Sequence, residues 1–98
     1  MDFKISIEAE IDLTKIWNYT FETWSIAQAD RYINLIFQEI DFICKNPMLG
    51  LDFSYVKDGY FKTKVKSHFI FYKINYQKSQ IEIIRILHQR MNIEERLK

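Results

Sequence analysis

One cysteine in 98 residues excludes an internal disulfide, and Cys44 falls within a helical stripe, where a free thiol behaves as a small hydrophobe. Only two histidines are present, His68 and His88. They are far apart, and no Cys/His pair stands at ligand spacing, which argues against a metal site; no cofactor is expected. Two glycines make no phosphate-cradling loop, and neither a Ser/His/Asp set nor a carboxylate pair is recognisable. The longest apolar runs fall far short of the roughly 18 residues that read as a membrane span. No positive, apolar, small-residue leader opens the chain, so the expectation is a soluble cytoplasmic protein with no membrane partner. Repeats, linkers and low-complexity segments are also missing. What remains is one domain, residues 1–98, with one core that buries about two-thirds of the unfolded surface.

The net charge of +1 conceals a split. Residues 1–56 carry four Lys/Arg against nine Asp/Glu, a net −5, whereas residues 57–90 carry eight against two, a net +6. One basic region on an otherwise acidic chain suits a polyanion or an acidic partner, and the plain alternative is a solvated sheet face. Direct nucleic-acid binding stays open on this ground.

Phe3 to Ile7 alternates apolar and polar residues as a short strand does, and Ser6 is placed to cap a helix beginning beside it. Ala9, Leu13, Ile16, Trp17, Thr20 and Trp24 recur at three and four, predicting that helix with Glu8, Asp12, Lys15 and Glu22 outside and both Trp side chains as core anchors. Ser25 to Gln28 reads as a capping box that divides the helical run. The second helix, with Ala29, Tyr32, Ile33, Ile36, Ile40 and Ile43 inward, stops at Asn46-Pro47 because proline restricts the residue before it. Two helices joined with almost no loop fold back as an antiparallel hairpin. After an irregular stretch ending at Asp58-Gly59, residues 60–65, 67–76 and 81–87 predict three strands in a meander, and Asn92 with Glu95 caps a terminal helical turn. The expected class is α+β: a short N-terminal strand, an antiparallel helical hairpin on a small antiparallel meander sheet in the order β-α-α-β-β-β, and a short C-terminal helical turn.

The strand pattern has a consequence for partners. His68, Ile70, Tyr72 and Ile74 line one face, with Phe69, Phe71 and Lys73 on the other; Ile84 and Ile86 likewise oppose Ile81, Ile83 and Leu87. Both faces are apolar, and one hairpin covers one of them. The second face is therefore expected to be a substantial exposed patch unless a partner, or the long loop, covers it.

Two groups of residues suggest chemistry. Tyr60, Lys62, Lys64 and Lys66 form a comb on one strand face, suited to a nucleic-acid backbone, although alternating lysines also discourage edge aggregation. Arg85 to Met91 sets two arginines and a histidine at the end of a strand, where side chains project from a rigid support. His88 suits general acid/base work near neutral pH, and Arg85 or Arg90 can hold a phosphate with two hydrogen bonds; the simpler role for His88 and His68 is structural hydrogen bonding.

Asp12-Leu13, Ile16-Trp17, Tyr19-Thr20, Trp24-Ser25, Gln28-Ala29 and Tyr32 together resemble the ParE branch of the RelE/ParE toxin family. The resemblance resumes at Asn46-Pro47 with Gly50, at Gly59-Tyr60, at Ser67-His68 with Phe71-Tyr72, and at Arg85 to Met91, and so spans nearly the whole chain. It implies the toxin of a type II toxin-antitoxin system, acting in growth inhibition and plasmid stabilization by poisoning DNA gyrase without a catalytic centre. It also implies neutralisation by a cognate antitoxin, ParD-like or related, in a hetero-oligomer. With the apolar sheet face as its contact, the antitoxin is expected to meet Trp17, Tyr60, Phe69, Phe71 and Tyr72. Arg85, His88, Arg90, Met91, Ile93 and Leu97 are expected to face the target, because this segment pairs charge with apolar anchors at the rigid end of the sheet. The alternative within the same family is a ribosome-dependent, metal-free mRNA endoribonuclease of the RelE type, with Lys62, Lys64, Arg85 and His88 as its catalytic set. The chain departs from the pattern at Ser25, Lys66 and Asn92, and Lys66 leaves the hairpin turn type open because lysine tolerates positive φ poorly.

Overall fold

The computed structural model describes residues 1–97. Ser6 leaves strand β1 (Asp2–Ile5) in an extended conformation and caps helix α1 (Ile7–Thr23), its hydroxyl accepting from the Ala9 amide at 3.0 Å. Ser25 caps α2 (Ile26–Lys45) by accepting from the Gln28 amide at 3.1 Å. Only half of the predicted capping box forms, because the Gln28 side chain accepts instead from Arg31 at 3.2 Å. Helix α2 ends at Asn46, and Pro47 opens a single 3₁₀ turn, Pro47–Leu49. The strands β2 (Leu51–Asp52), β3 (Phe61–Val65), β4 (His68–Asn75) and β5 (Gln80–His88) come next, and α3 (Ile93–Arg96) starts at Asn92, whose side chain accepts from the Glu95 amide at 3.4 Å.

The α+β architecture and the meander are as predicted, in the sheet order β1-β5-β4-β3-β2. The sheet is mixed rather than antiparallel, since β1 runs parallel to β5. A four-residue strand separated from its neighbour β5 by the helical hairpin and three further strands carries no turn signal to reveal its direction. Between β3 and β4, Lys66 itself adopts the left-handed conformation at φ 53°.

Ile16 of α1 and Ile36, Ile40 and Ile43 of α2 pack on Ile70 and Tyr72 of β4 and on Ile81, Ile83 and Ile86 of β5. One expected alternation fails in β5, where Ile84 lies with Leu87 on the far face and Ile86 with the hairpin core. The cause is a bulge: Phe71 pairs with Arg85 but Tyr72 pairs with Ile83, so Ile84 is an extra residue.

The far face is not an open patch. Phe53 and Tyr60 from the loop between β2 and β3, and Leu97 from the chain end, close over Phe71 and Leu87 in a second small core. Phe71 is fully buried and Leu87 nearly so. Strand periodicity counts apolar faces correctly, but it carries no information about which loop returns to cover one.

Two expectations for α1 are also corrected. Trp24 is 71% exposed, because it is the C-cap residue, where the helix ends before the stripe reaches the core. Trp17 is half-buried, stacked on Phe21, with its indole N–H donating to Asp30 of α2 at 2.9 Å. Asp12, expected to face solvent, is buried.

Candidate functional site

Pairing between β1 and β5 ends at Ile5 with Ile83, so β5 runs on past its neighbour with its backbone edge uncovered. Helix α1 supplies what the missing strand would have supplied. The Ser6 hydroxyl donates to the Ile84 carbonyl at 2.7 Å, and the Asp12 carboxylate accepts from the Ile86 amide at 2.9 Å. The same carboxylate takes both prongs of Arg85, Nε at 2.8 Å and Nη2 at 3.0 Å. The remaining Arg85 donor, Nη1, reaches the Arg96 carbonyl at 3.3 Å and holds α3 against the sheet. These hydrogen bonds from Asp12 raise the Arg85 pKa further above its ordinary value and outweigh the opposing cost of burial.

Next to this junction, His68 and His88 are paired across β4 and β5 with their rings edge to face, 5.1 Å between centroids. The Tyr32 hydroxyl of α2 is 2.6 Å from His68 Nδ1. Burial and the neighbouring His88 push the His68 pKa down to about 4, so near neutral pH the ring is uncharged, and its Nδ1 shares a hydrogen bond with the Tyr32 hydroxyl. His88 Nδ1 accepts from the Arg90 amide at 3.1 Å, which leaves Nε2 to carry the proton of the neutral ring. The two histidines form part of the wall of a groove of about 530 Å³ between the C-terminal half of α1 and the end of the sheet, with Ile86 also contributing. Lys15, Tyr19 and Trp24 stand along its helical side and Met91 at its far end.

Two members of the lysine comb, Lys62 and Lys64, lie elsewhere. Lys62 Nζ sits 4.6 Å from the Phe53 ring centroid and 4.8 Å from that of Phe69, and Lys64 Nζ sits 5.6 Å from Phe69. Phe53 and Phe69 belong to the second core, on the face opposite the hairpin. The structure therefore separates Lys62 and Lys64 from His88, and it occupies Arg85 with Asp12. The proposed catalytic set is not assembled around one point.

A family model described as the ParE toxin of the type II toxin-antitoxin system, parDE, matches residues 3–93. The chain belongs to the ParE toxin family. It is similar to Toxin ParE1 of Mycobacterium tuberculosis (strain ATCC 25618 / H37Rv), 32% identical over 95 residues that cover 97% of this chain and 96% of that protein. Toxin ParE1 of Caulobacter vibrioides (strain ATCC 19089 / CIP 103742 / CB 15) is 33% identical over 90 residues, covering 92% and 91%. Among solved structures, the chromosomal ParDE TA system from P. aeruginosa shares the fold at a TM-score of 0.77 and 16% identity, covering 90% of this chain and 95% of that one. As a type II toxin of the ParE family, the chain has a cognate antitoxin as its partner. No helix among the described residues is long and apolar enough to cross a membrane.

This ParE-family chain places its predicted partner-facing residues unevenly. Phe71 and Tyr72 are fully buried and Tyr60 nearly so, all within the chain's own cores, so none is open to an antitoxin without unpacking. Phe69 is half-buried beneath Lys62 and Lys64, and Trp17 half-buried along the hairpin. Of the terminal segment, Arg90 and Met91 are exposed, and His88 and Ile93 half-buried. Leu97 is buried in the second core and Arg85 is engaged inside the protein. Those two position the segment rather than present it.

Reading the chain by residue type missed Asp12 and Tyr19, and took Trp24 chiefly as a core anchor. A signal for Asp12 was present: it stands three after Ala9 and four before Ile16, on the stripe that is buried. An acid at a buried helical position requires a cation, and Arg85 is that cation.

Proposed function

We propose that this ParE-family toxin poisons DNA gyrase and blocks replication by binding, and that a ParD-like antitoxin neutralises it. The observation that carries the reading is the dispersal of the alternative catalytic set. With Lys62 and Lys64 on the far face and Arg85 engaged by Asp12, His88 has no cationic partner from that set with which to hold a scissile phosphate. What the end of the sheet offers is a shaped surface on a rigid support, exposed Arg90 and Met91 beside His88, stiffened from beneath by Arg85 and Leu97. A surface of mixed charge and apolar anchors is suited to binding a protein target.

The test runs the freed toxin in parallel against gyrase supercoiling, with trapping of cleavage complexes, and against a translating ribosome with message cleavage. A gyrase poison acts near stoichiometrically, and His88→Ala weakens it modestly while Arg90→Ala with Met91→Ala weakens it strongly. A ribonuclease turns over, and His88→Ala lowers its rate by about 10² or more. Message cleavage with no effect on gyrase overturns the proposal.

A further inference from the structure

The groove beside the histidines is one half of a longer trough. A second cavity of about 360 Å³ adjoins it and shares Thr20, Trp24 and Tyr32 as common walls, carrying the depression on to Arg31 of α2 and to Lys66 in the turn between β3 and β4. The combined depression runs beneath the corner of the helical hairpin, from Met91 to Arg31.

Its chemistry is one-sided. Lys15, Arg31 and Lys66 are exposed along it, and among the described residues none of the three is in an ion pair. The acid in its wall, Asp12, is already neutralised by Arg85. His68 Nδ1 is engaged with the Tyr32 hydroxyl and His88 Nδ1 with the Arg90 amide, which leaves Nε2 as the ring nitrogen of each without a protein partner among the described residues. Every charged group free to act on a ligand is therefore a cation. Two large rings interrupt these donors with open surface: Tyr19 is 69% exposed and Trp24 71%.

Cations that track a chain, interleaved with exposed aromatic rings, are the composition of a site for single-stranded nucleic acid, in which phosphates meet the cations and bases stack on the rings. An acidic peptide satisfies the charge but leaves the rings with weaker occupants, and the apolar floor residues Ile16 and Ile86 are buried and Leu35 half-buried, which leaves little for an amphipathic helix to cover. We propose that this trough binds single-stranded nucleic acid, with a base stacked on Trp24 or Tyr19 and phosphates held by Lys15, Lys66 and Arg31. The site takes Lys66 from the comb but is distinct from Lys62 and Lys64, which lie across the sheet, and it does not depend on which enzyme the toxin acts upon.

The experiment measures binding of the full chain to a fluorescein-labelled oligothymidylate of about 12 nucleotides, a length within the usual range for such sites, by anisotropy across a salt series. The expected result is saturable binding that weakens with salt. Trp24→Ala weakens it about 5- to 100-fold, and removing two charges by Lys15→Gln with Lys66→Gln flattens the log–log salt slope by about 1.4. Lys62→Gln with Lys64→Gln, on the far face, leaves both quantities unchanged. Circular dichroism confirms folding, and because Trp24, Lys15 and Lys66 are exposed the core is untouched. Absence of binding at low salt overturns the proposal. So does binding that is lost with Lys62 and Lys64 but kept without Trp24, which assigns nucleic acid to the comb. Binding of a labelled glutamate- and phenylalanine-rich peptide in place of the oligonucleotide also overturns it and makes the trough a peptide site.

Discussion

Asp12 and Arg85, separated by 73 positions in the chain, meet through two hydrogen bonds of 2.8 and 3.0 Å, and the same carboxylate accepts the Ile86 amide that β1 is too short to reach. One acid thus closes the open edge of β5, anchors α1 and, through Arg85, holds the chain end. Asp12→Ala leaves a largely buried guanidinium with only the Arg96 carbonyl as acceptor and the Ile86 N–H with none, and is expected to cost about 3–5 kcal/mol. Urea denaturation of both single variants and the double variant measures it. The double variant should lose less than the sum of the two, because the unpaired cation is gone, although the Ile86 amide stays unsatisfied. Strict additivity would show that the pair does not act as a unit.

Gly50 is present because Tyr72 passes beneath it. The Tyr72 hydroxyl donates to the Pro47 carbonyl at 2.9 Å, and a Cβ on Gly50 would stand 2.0 Å from that same hydroxyl oxygen. Gly50→Ala is expected to destabilise by about 1–3 kcal/mol through overpacking. Tyr72→Phe costs its own hydrogen bond but removes the most severe obstruction, leaving ring carbons at 2.8 and 3.0 Å, so the two substitutions together should be milder than their sum. Thermal midpoints of the four proteins decide this.

The hairpin corner distinguishes the two halves of a capping box. Ser25→Ala removes the observed cap and should cost about 1 kcal/mol. Gln28→Ala removes only an exposed contact with Arg31 and should cost less than about 0.5 kcal/mol. Equal urea midpoints for wild type and Ser25→Ala would refute the cap; equal losses in the two variants would mean that the reciprocal bond forms in solution.

His68 makes the fold sensitive to acid. Its ring takes a proton near pH 6.5 when unfolded and only near 4 in the folded chain, so unfolding takes up a proton in that window. Stability contributed by the neutral ring is complete above about pH 6.5, declines as pH falls, and is gone below about 4. The neighbouring His88 pushes the pKa further down, and Asp12 opposes that. Urea midpoints measured across this range should fall less steeply with acid in His68→Gln than in wild type. Parallel pH profiles would show that another group titrates.

Local sequence carried much of this molecule. Ser6, Ser25, Pro47 and Asn92 act through atoms within four residues, so the bounds of the helices result from bonding that a linear reading contains. The three meander strands were legible for the same reason, being joined by short turns that specify both partner and direction. Even the lysine comb was legible as a comb. Its surroundings were not, because Phe53 reaches Lys62 from a loop whose path no periodicity describes.

What the tertiary structure alone decided are the contacts that span the chain. The bulge at Ile84 lies where β5 stays paired with β4 on one side while its other edge passes from β1 to the cap of α1, a meeting of elements distant in sequence. Whether Arg85 faces a target or Asp12, and whether Phe71 faces a partner or Phe53, likewise turned on long-range packing. An alternating strand states which residues share a face. Only the closed fold states what lies against that face, since burial is settled by whichever segment reaches it first in space.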